Sequence, residues 1–136
     1  MTGVCVVCAA TSVVDQHHPA GRRHIPGWLV PLCKRCHLDA HRLLASGGVP
    51  LGQDLSGLDR LRVGVLAVCQ LGALSYAHQG AYSQAQFWLG LGVALAAWLD
   101  EFGPVDRPGR FMPDPRKPYT PPVLRPALLL VDLNNS

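Results

Sequence analysis

The sequence predicts an α+β chain in three parts: a small mixed module, then an α-helical hairpin, then a proline-rich extended tail. Three observations carry this reading. Four of the five cysteines and five of the six histidines lie within the first 41 of 136 residues. No Asp, Glu, Lys or Arg occurs between Arg62 and Asp100. Eight of the twelve prolines fall after residue 103. The expected boundaries are 1–48 for the module, 49–57 for a Gly/Pro/Ser linker, 58–103 for the hairpin and 104–136 for the tail.

Within the module, Ser12-Val13-Val14 reads as a short strand leading into Asp15-Gln16-His17-His18. Pro19-Ala20-Gly21 and Ile25-Pro26-Gly27 are turn signals. Trp28-Leu29-Val30 reads as a second strand closed by Pro31. From Lys34, Leu38, Leu43 and Leu44 allow a helix to about Ala45, stopped by Gly47-Gly48. In the hairpin, Ser56 with Asp59 and Ser83 with Gln86 are capping-box signatures. Leu58, Leu61, Val65, Val68, Gly72 and Tyr76 follow helical spacing, as do Trp88, Leu91, Leu95, Trp98 and Phe102. Gly80 is suited to end the first helix and Gly103-Pro104 the second. In the tail, Pro113, Pro115, Pro118, Pro121 and Pro122 favour an extended path, and Leu128-Leu129-Leu130-Val131 is long enough for one strand.

Hydrophobic residues make up 49% of the chain and charged residues 15%, which excludes a wholly disordered protein. A net charge of +3 does not by itself indicate a nucleic-acid binder. The N-terminus has no positively charged leader, so the cysteines are expected in a reducing compartment, as metal ligands rather than disulfides. The apolar stretches 63–77 and 87–99 are short against the roughly 20 residues of a membrane span, so a membrane hairpin is not the favoured reading.

Cys5-x-x-Cys8 and Cys33-x-x-Cys36 are two knuckles that place four thiolates around one tetrahedral zinc. With all four positions filled by protein, that zinc is structural, and its binding helps a module too small for a large core. His37 and His41 sit at i and i+4 on the helix that starts at the second knuckle. Neutral imidazoles there can chelate a divalent cation, with His17 or His18 completing the set. The remaining histidine is then free to act as a base, and the residues alone leave open which takes which role. Asp15 suits either a carboxylate behind a ligand histidine or a solvated strand end. His24 reads as a loop residue, and His78 as a structural residue far from the cluster.

Taken in order, Cys5-x-x-Cys8, Asp15-x-His17-His18 and Leu32-Cys33-x-x-Cys36-His37-x-x-x-His41 resemble an HNH endonuclease of the ββα-metal type, four-cysteine zinc subtype. The resemblance covers about the first 48 residues. It implies an α+β fold: a small zinc-stabilised ββα-metal module followed by the α-helical hairpin and the proline-rich extended tail. It implies metal-dependent hydrolysis of DNA phosphodiesters, with His18 activating water and His17, His37 and His41 holding a catalytic divalent ion (Mg²⁺, Mn²⁺, Ni²⁺ or Zn²⁺) beside the structural Zn²⁺. His17, His18 and His41 are then the catalytic set. The family carries an asparagine where this chain has Trp28, five residues before Cys33. That departure favours the alternative, an inactive zinc-stabilised adaptor for nucleic acid or protein.

Arg22, Arg23, Lys34, Arg35 and Arg42 give the module five basic groups against Asp15 and Asp39, a candidate DNA-binding face. The size and arginine bias resemble small stand-alone HNH proteins of phages and actinobacteria. That likeness implies a phage packaging (terminase) protein as partner and a cytoplasmic setting, the host cytoplasm for a viral protein. The hairpin is the expected site of any homo-oligomer.

Overall fold

The structure, a computed structural model, describes residues 1–113 and 119–126. The chain is a mixed α+β protein: a three-stranded antiparallel sheet and three helices. In order these are β1 (Thr2–Val4), β2 (Thr11–His17), β3 (Val30–Cys33), α1 (Lys34–Ser46), α2 (Gly57–His78) and α3 (Tyr82–Asp100), then one 3₁₀ turn at Pro122–Leu124. The strand expected at Leu128–Val131, and Pro115 and Pro118 of the tail, lie outside the described residues.

β2 is the central strand, paired with β1 on one side and β3 on the other. Its register with β3 sets Val14 opposite Cys33, Asp15 opposite Leu32 and His17 opposite Val30. Since α1 starts at Lys34, the residue after β3, the helix returns across the strand that bears Asp15 and His17.

Two strand expectations are corrected. β1 is an additional strand, too short to show a period in sequence. The strand placed at Trp28–Val30 instead runs Val30–Cys33, through Pro31 rather than ending before it. β3 is an edge strand, where a residue without an N–H is tolerated. The Pro31 carbonyl is used from the other direction, accepting from the Val6 N–H at 3.0 Å.

α2 is the central helix, packed on α3 along its length and on α1. Ser56 caps it as its pattern predicts, its Oγ accepting from the Asp59 N–H at 3.2 Å. The capping box expected at Ser83 is not formed: the cap falls two residues earlier, at Ala81, so that α3 begins at Tyr82 with no side-chain cap bond. The tight exit from α2 fixes this. Gly80 takes the left-handed conformation (φ +77°), and the Ala81 N–H returns to the Tyr76 carbonyl at 2.9 Å, so no residue is left over for a capping loop. α3 ends at Asp100, before Gly103. Its close approach to α2 depends on Gly92, where a Cβ would lie 2.8 Å from that of Cys69.

Two buried clusters form the core. One joins Cys5, Leu32, Cys36 and Leu43 to Ala73, Leu74 and Ala77 of α2 and to Leu124 of the tail. The other joins Ala20 and Leu44 to Val63, Leu66 and Phe111, and includes Val49 and Leu55 of the Gly/Pro/Ser stretch. The first residues of the tail are fastened by charge. Arg62, wholly buried on α2, donates to the Ala96 carbonyl at 2.7 Å, the Phe111 carbonyl at 2.8 Å and Asp59 at 3.0 Å. Arg107 bonds Asp59 twice at 2.9 Å and also pairs with Asp100, while Arg110 reaches Asp100 at 2.7 Å. This clasp closes the open end of the α2–α3 pair.

Candidate metal centres and the cleft beside them

Cys5 and Cys8 lie in the turn between β1 and β2, Cys33 ends β3, and Cys36 is in the first turn of α1. Backbone bonds from the Cys5 N–H to the Ala10 carbonyl (3.0 Å) and from the Ala9 N–H to the Cys5 carbonyl (2.9 Å) close the first knuckle. The four sulfurs lie within 4.8 Å of one another. Cys8 and Cys33 Sγ are 3.8 Å apart, which matches the edge of a tetrahedron with Zn–S bonds of about 2.3 Å. Burial pushes the Cys5 thiol up, but the N–H groups of Cys8, Cys33 and Val7 outweigh it and bring the pKa to about 7. Burial raises Cys8 and Cys36. Four thiols gathered with no cation among them are mutually unfavourable as thiolates, so the donor set fits a structural zinc ion.

The second cluster is made of His17 from β2 and His37 and His41 from α1. One ring nitrogen from each lies within 4.8 Å of the others, and the ring centroids are 4.8 to 5.1 Å apart. His17 is 2% exposed, and its buried Nε2 has no hydrogen-bond partner among the described residues. Such a nitrogen costs about 1–3 kcal/mol unless something fills its lone pair or takes its proton. Burial, then the proximity of His37, His41 and His18, lowers the His17 pKa to about 4. Burial and then His37 lower that of His41. His17 is therefore neutral near pH 7, the form that ligates metal. His37 Nδ1 is 3.1 Å from Asp15 Oδ2, which leaves its Nε2 for the cluster. The Asp15 carboxylate thus lies against His37 rather than standing alone at the strand end.

No known protein family, curated protein or solved structure matches this chain.

His18 is half-buried and lines a cleft of about 490 Å³ with His41, Arg22 and Arg23, over an apolar floor that includes Leu44 and Leu51. The five basic residues do not share one face. Arg22 and Arg23 line this cleft, and Arg23 also faces Asp54 at 3.5 Å. Arg35 lines a separate hollow with Cys8, Cys33 and Cys36. Lys34 begins α1 beside that hollow and is exposed. Arg42 lies over the Tyr119 ring, 5.6 Å from its centroid, while the Tyr119 hydroxyl donates to Asp39 at 2.8 Å.

Two histidines differ from their sequence reading. His24 is no mere loop residue: it is 3% exposed, and its Nε2 bonds the Pro50 carbonyl at 3.0 Å. His78 is not far from the cluster, because its Nε2 lies 3.6 Å from Cys36 Sγ. No pattern in the sequence signals that contact, since α2 must first fold back 42 residues along the chain. Trp28 sits against the second core cluster and lines an apolar groove with Ile25 and residues of α2 and α3.

Proposed function

We propose that the protein is a metal-dependent endonuclease of the HNH, ββα-metal type that hydrolyses DNA phosphodiester bonds. The observation that carries this reading is the His17–His37–His41 cluster: three convergent imidazoles with a buried, unpartnered nitrogen, opening beside His18. The paired β2 and β3 followed directly by α1 support the same reading, as does the separate four-cysteine set. A structural zinc alone needs only those four cysteines.

In this reading His17, His37 and His41 hold a divalent ion, which when bound supplies Lewis-acid stabilisation of charge on the phosphate and the leaving oxygen. His18, on the cleft wall and outside the ligand set, takes a proton from the attacking water. An imidazole suits that task because its ordinary pKa is near working pH. Arg22 and Arg23 pair with phosphate oxygens across the cleft and fix the strand's register. Asp15 holds His37 in the tautomer that presents Nε2.

Trp28 removes the polar side chain that the family places before β3. The loop bearing His18 has other ties. The Gly21 N–H donates to the His18 carbonyl at 3.0 Å, and the His24 N–H donates to the Gly21 carbonyl at 3.3 Å. The His24 ring then anchors the loop to Pro50. These bonds support an active enzyme rather than the inactive adaptor that Trp28 alone suggests.

Nicking of supercoiled plasmid tests the proposal, with Mg²⁺, Mn²⁺, Ni²⁺ or no added metal. The full-length protein should nick only with metal, and His18→Ala should lower the rate by about 10²–10⁴ while binding the same number of ions. One ion per chain and no nicking with any metal would leave the adaptor reading.

A further inference from the structure

α3 is built in reverse for a helix in an isolated pair. Its fully buried residues are Ala85, Gly92 and Ala96, while Phe87, Trp98 and the following Phe102 are 63%, 54% and 67% exposed. The small residues face α2, and many of the large ones face out. α2 shows a second seam as well. Leu61, Val65 and Val68 recur at i, i+4 and i+7, and on α3 Leu91, Leu95 and Trp98 repeat the same spacing. Except for Trp98, these six residues line one open, wholly apolar groove of about 560 Å³. Leu61 and Val68 are 53% and 51% exposed.

We infer that α2 and α3 are half of a four-helix bundle, and that a second copy of this chain completes it. Two neighbouring helices that both carry an outward seam at three-and-four spacing present one face of such a bundle. The same face offers a groove and projecting aromatics, which is the self-complementarity a two-fold interface requires. Its size agrees. The three exposed aromatics alone offer on the order of 350 Å² of apolar surface, a large share of the ~800 Å² per partner of a stable interface. Its charge agrees too, because residues 63–99 hold no Asp, Glu, Lys or Arg with which to select a charged partner. A lipid surface is the poorer occupant. Helices that lie on membranes carry a Lys/Arg border, and this face has none along those residues. α2 is long and apolar enough to cross a membrane, but half of its apolar window is buried within the fold and Arg62 holds its first turns in the clasp. The second copy also gives Trp28 a place: with Ile25 it lines the same groove.

Sedimentation equilibrium of the full zinc-loaded chain, read without reference to nuclease activity, tests this inference. The expected result is twice the chain mass. Val68→Glu and Trp98→Glu should each weaken self-association at least about 100-fold, leaving helical content and zinc stoichiometry unchanged. Both side chains are more than half exposed, so the single chain should accommodate either change. A wild-type protein of single-chain mass up to about 100 μM would overturn the inference. So would a doubled mass that survives both substitutions. Single-chain mass together with co-flotation on phosphatidylcholine vesicles would assign the face to lipid instead.

Discussion

The histidine cluster, in which His17 is buried, His37 half-buried and His41 exposed, and the largely buried arginine–aspartate clasp are both convergent groups of polar side chains, and they differ in how far those groups are answered. In the clasp every charged group is answered. Asp59 receives Arg62, Arg107 and the Ser56 hydroxyl, Asp100 receives Arg107 and Arg110, and Arg62 has two backbone carbonyls besides. In the histidine cluster three rings converge, and among the described residues the only side-chain hydrogen bond to them is the Asp15–His37 contact and one buried nitrogen has no partner. A satisfied buried network is complete as folded. An unsatisfied one is stable only because the rest of the fold holds it, and that is what a ligand site requires. The clasp should therefore serve stability and the histidine cluster binding, and substitutions in the two should separate these quantities.

The largest expected effect is on the clasp. Arg62→Met keeps the apolar stem but leaves the Ala96 and Phe111 carbonyls without their donor and adds to the uncompensated charge of Asp59 and Asp100. Breaking such a network by removing one member costs about 3–5 kcal/mol. Urea unfolding should show a loss of that size, while the number of ions bound at the N-terminal clusters stays the same. A loss below ~1 kcal/mol would mean that the clasp is no more than a surface ion pair in effect.

Acid should probe the two regions in separate windows. In protein holding only its structural zinc, His17 takes a proton near 6.5 when unfolded but only near 4 when folded. Acid therefore favours the unfolded chain between those values. Stability is full above pH 6.5 and falls toward pH 4, by on the order of 3 kcal/mol. Asp59 and Asp100 are lowered as well, but from a lower ordinary value, so acid acts on them in a lower window. Burial opposes the charge on Asp59, but Arg107, Ser56 and Arg62 outweigh it, and Arg110 leads the lowering of Asp100. Their contribution persists above the ordinary value of 3.8 and is lost only as the pH falls through their lowered values. A denaturation series from pH 8 to 4 should show the first decline before the second begins, with His41 and His78, also lowered by burial, adding to it. Filling the histidine site with a divalent ion should make that decline steeper, since protons then expel the ion.

Asp15→Asn tests the one contact that ties the histidine cluster to a charge. The amide oxygen still accepts a bond from the His37 Nδ1–H but lacks the carboxylate's charge. Ligand-orienting partners of this kind contribute about 10–100-fold to metal affinity. Titration of the zinc-loaded protein with Ni²⁺ or Mn²⁺ should show a loss in that range. An unchanged affinity would make Asp15 a strand residue that happens to lie near His37.

Much of this site was legible because its spacing is local. The two knuckles and the i, i+4 histidines are readable wherever a strand, a turn and a helix follow one another, and Ser56 signals the start of α2 by a bond three residues long. What stayed hidden depends on returns of the chain. His78 meets Cys36 only after α2 has doubled back, and Arg42 meets Tyr119 only through the tail. Arg107 and Arg110, which belong to no motif in the sequence, hold Asp59 and Asp100. The apolar stripe from Trp88 to Phe102 was correctly periodic, yet period alone does not say which side of a helix faces the fold. Small residues on the opposite side took that place, because Gly92 and Ala96 let α3 approach α2 more closely than Trp98 would. Pro31 misled for a related reason: proline breaks strands in general, and edge strands are where it does not.

The smallest stability effect, and the one that most sharpens the contrast with the clasp, is expected from His17→Leu. Leucine is close to histidine in size, and His17 is already almost wholly buried, at 2% exposed, beside the rings of His37 and His41. The substitution removes a buried nitrogen that has no partner, so it relieves about as much desolvation cost as it loses in packing. Zinc-loaded protein with the histidine site empty should change in stability by no more than about 1 kcal/mol in either direction, with a gain the more informative result. The same variant should lose the stabilisation that added Ni²⁺ or Mn²⁺ gives the wild type, because that increment reports ligand binding to the folded state alone. A loss of several kcal/mol in the variant without added metal would mean that His17 is held by a partner in the fold after all, and the cluster would then resemble the clasp.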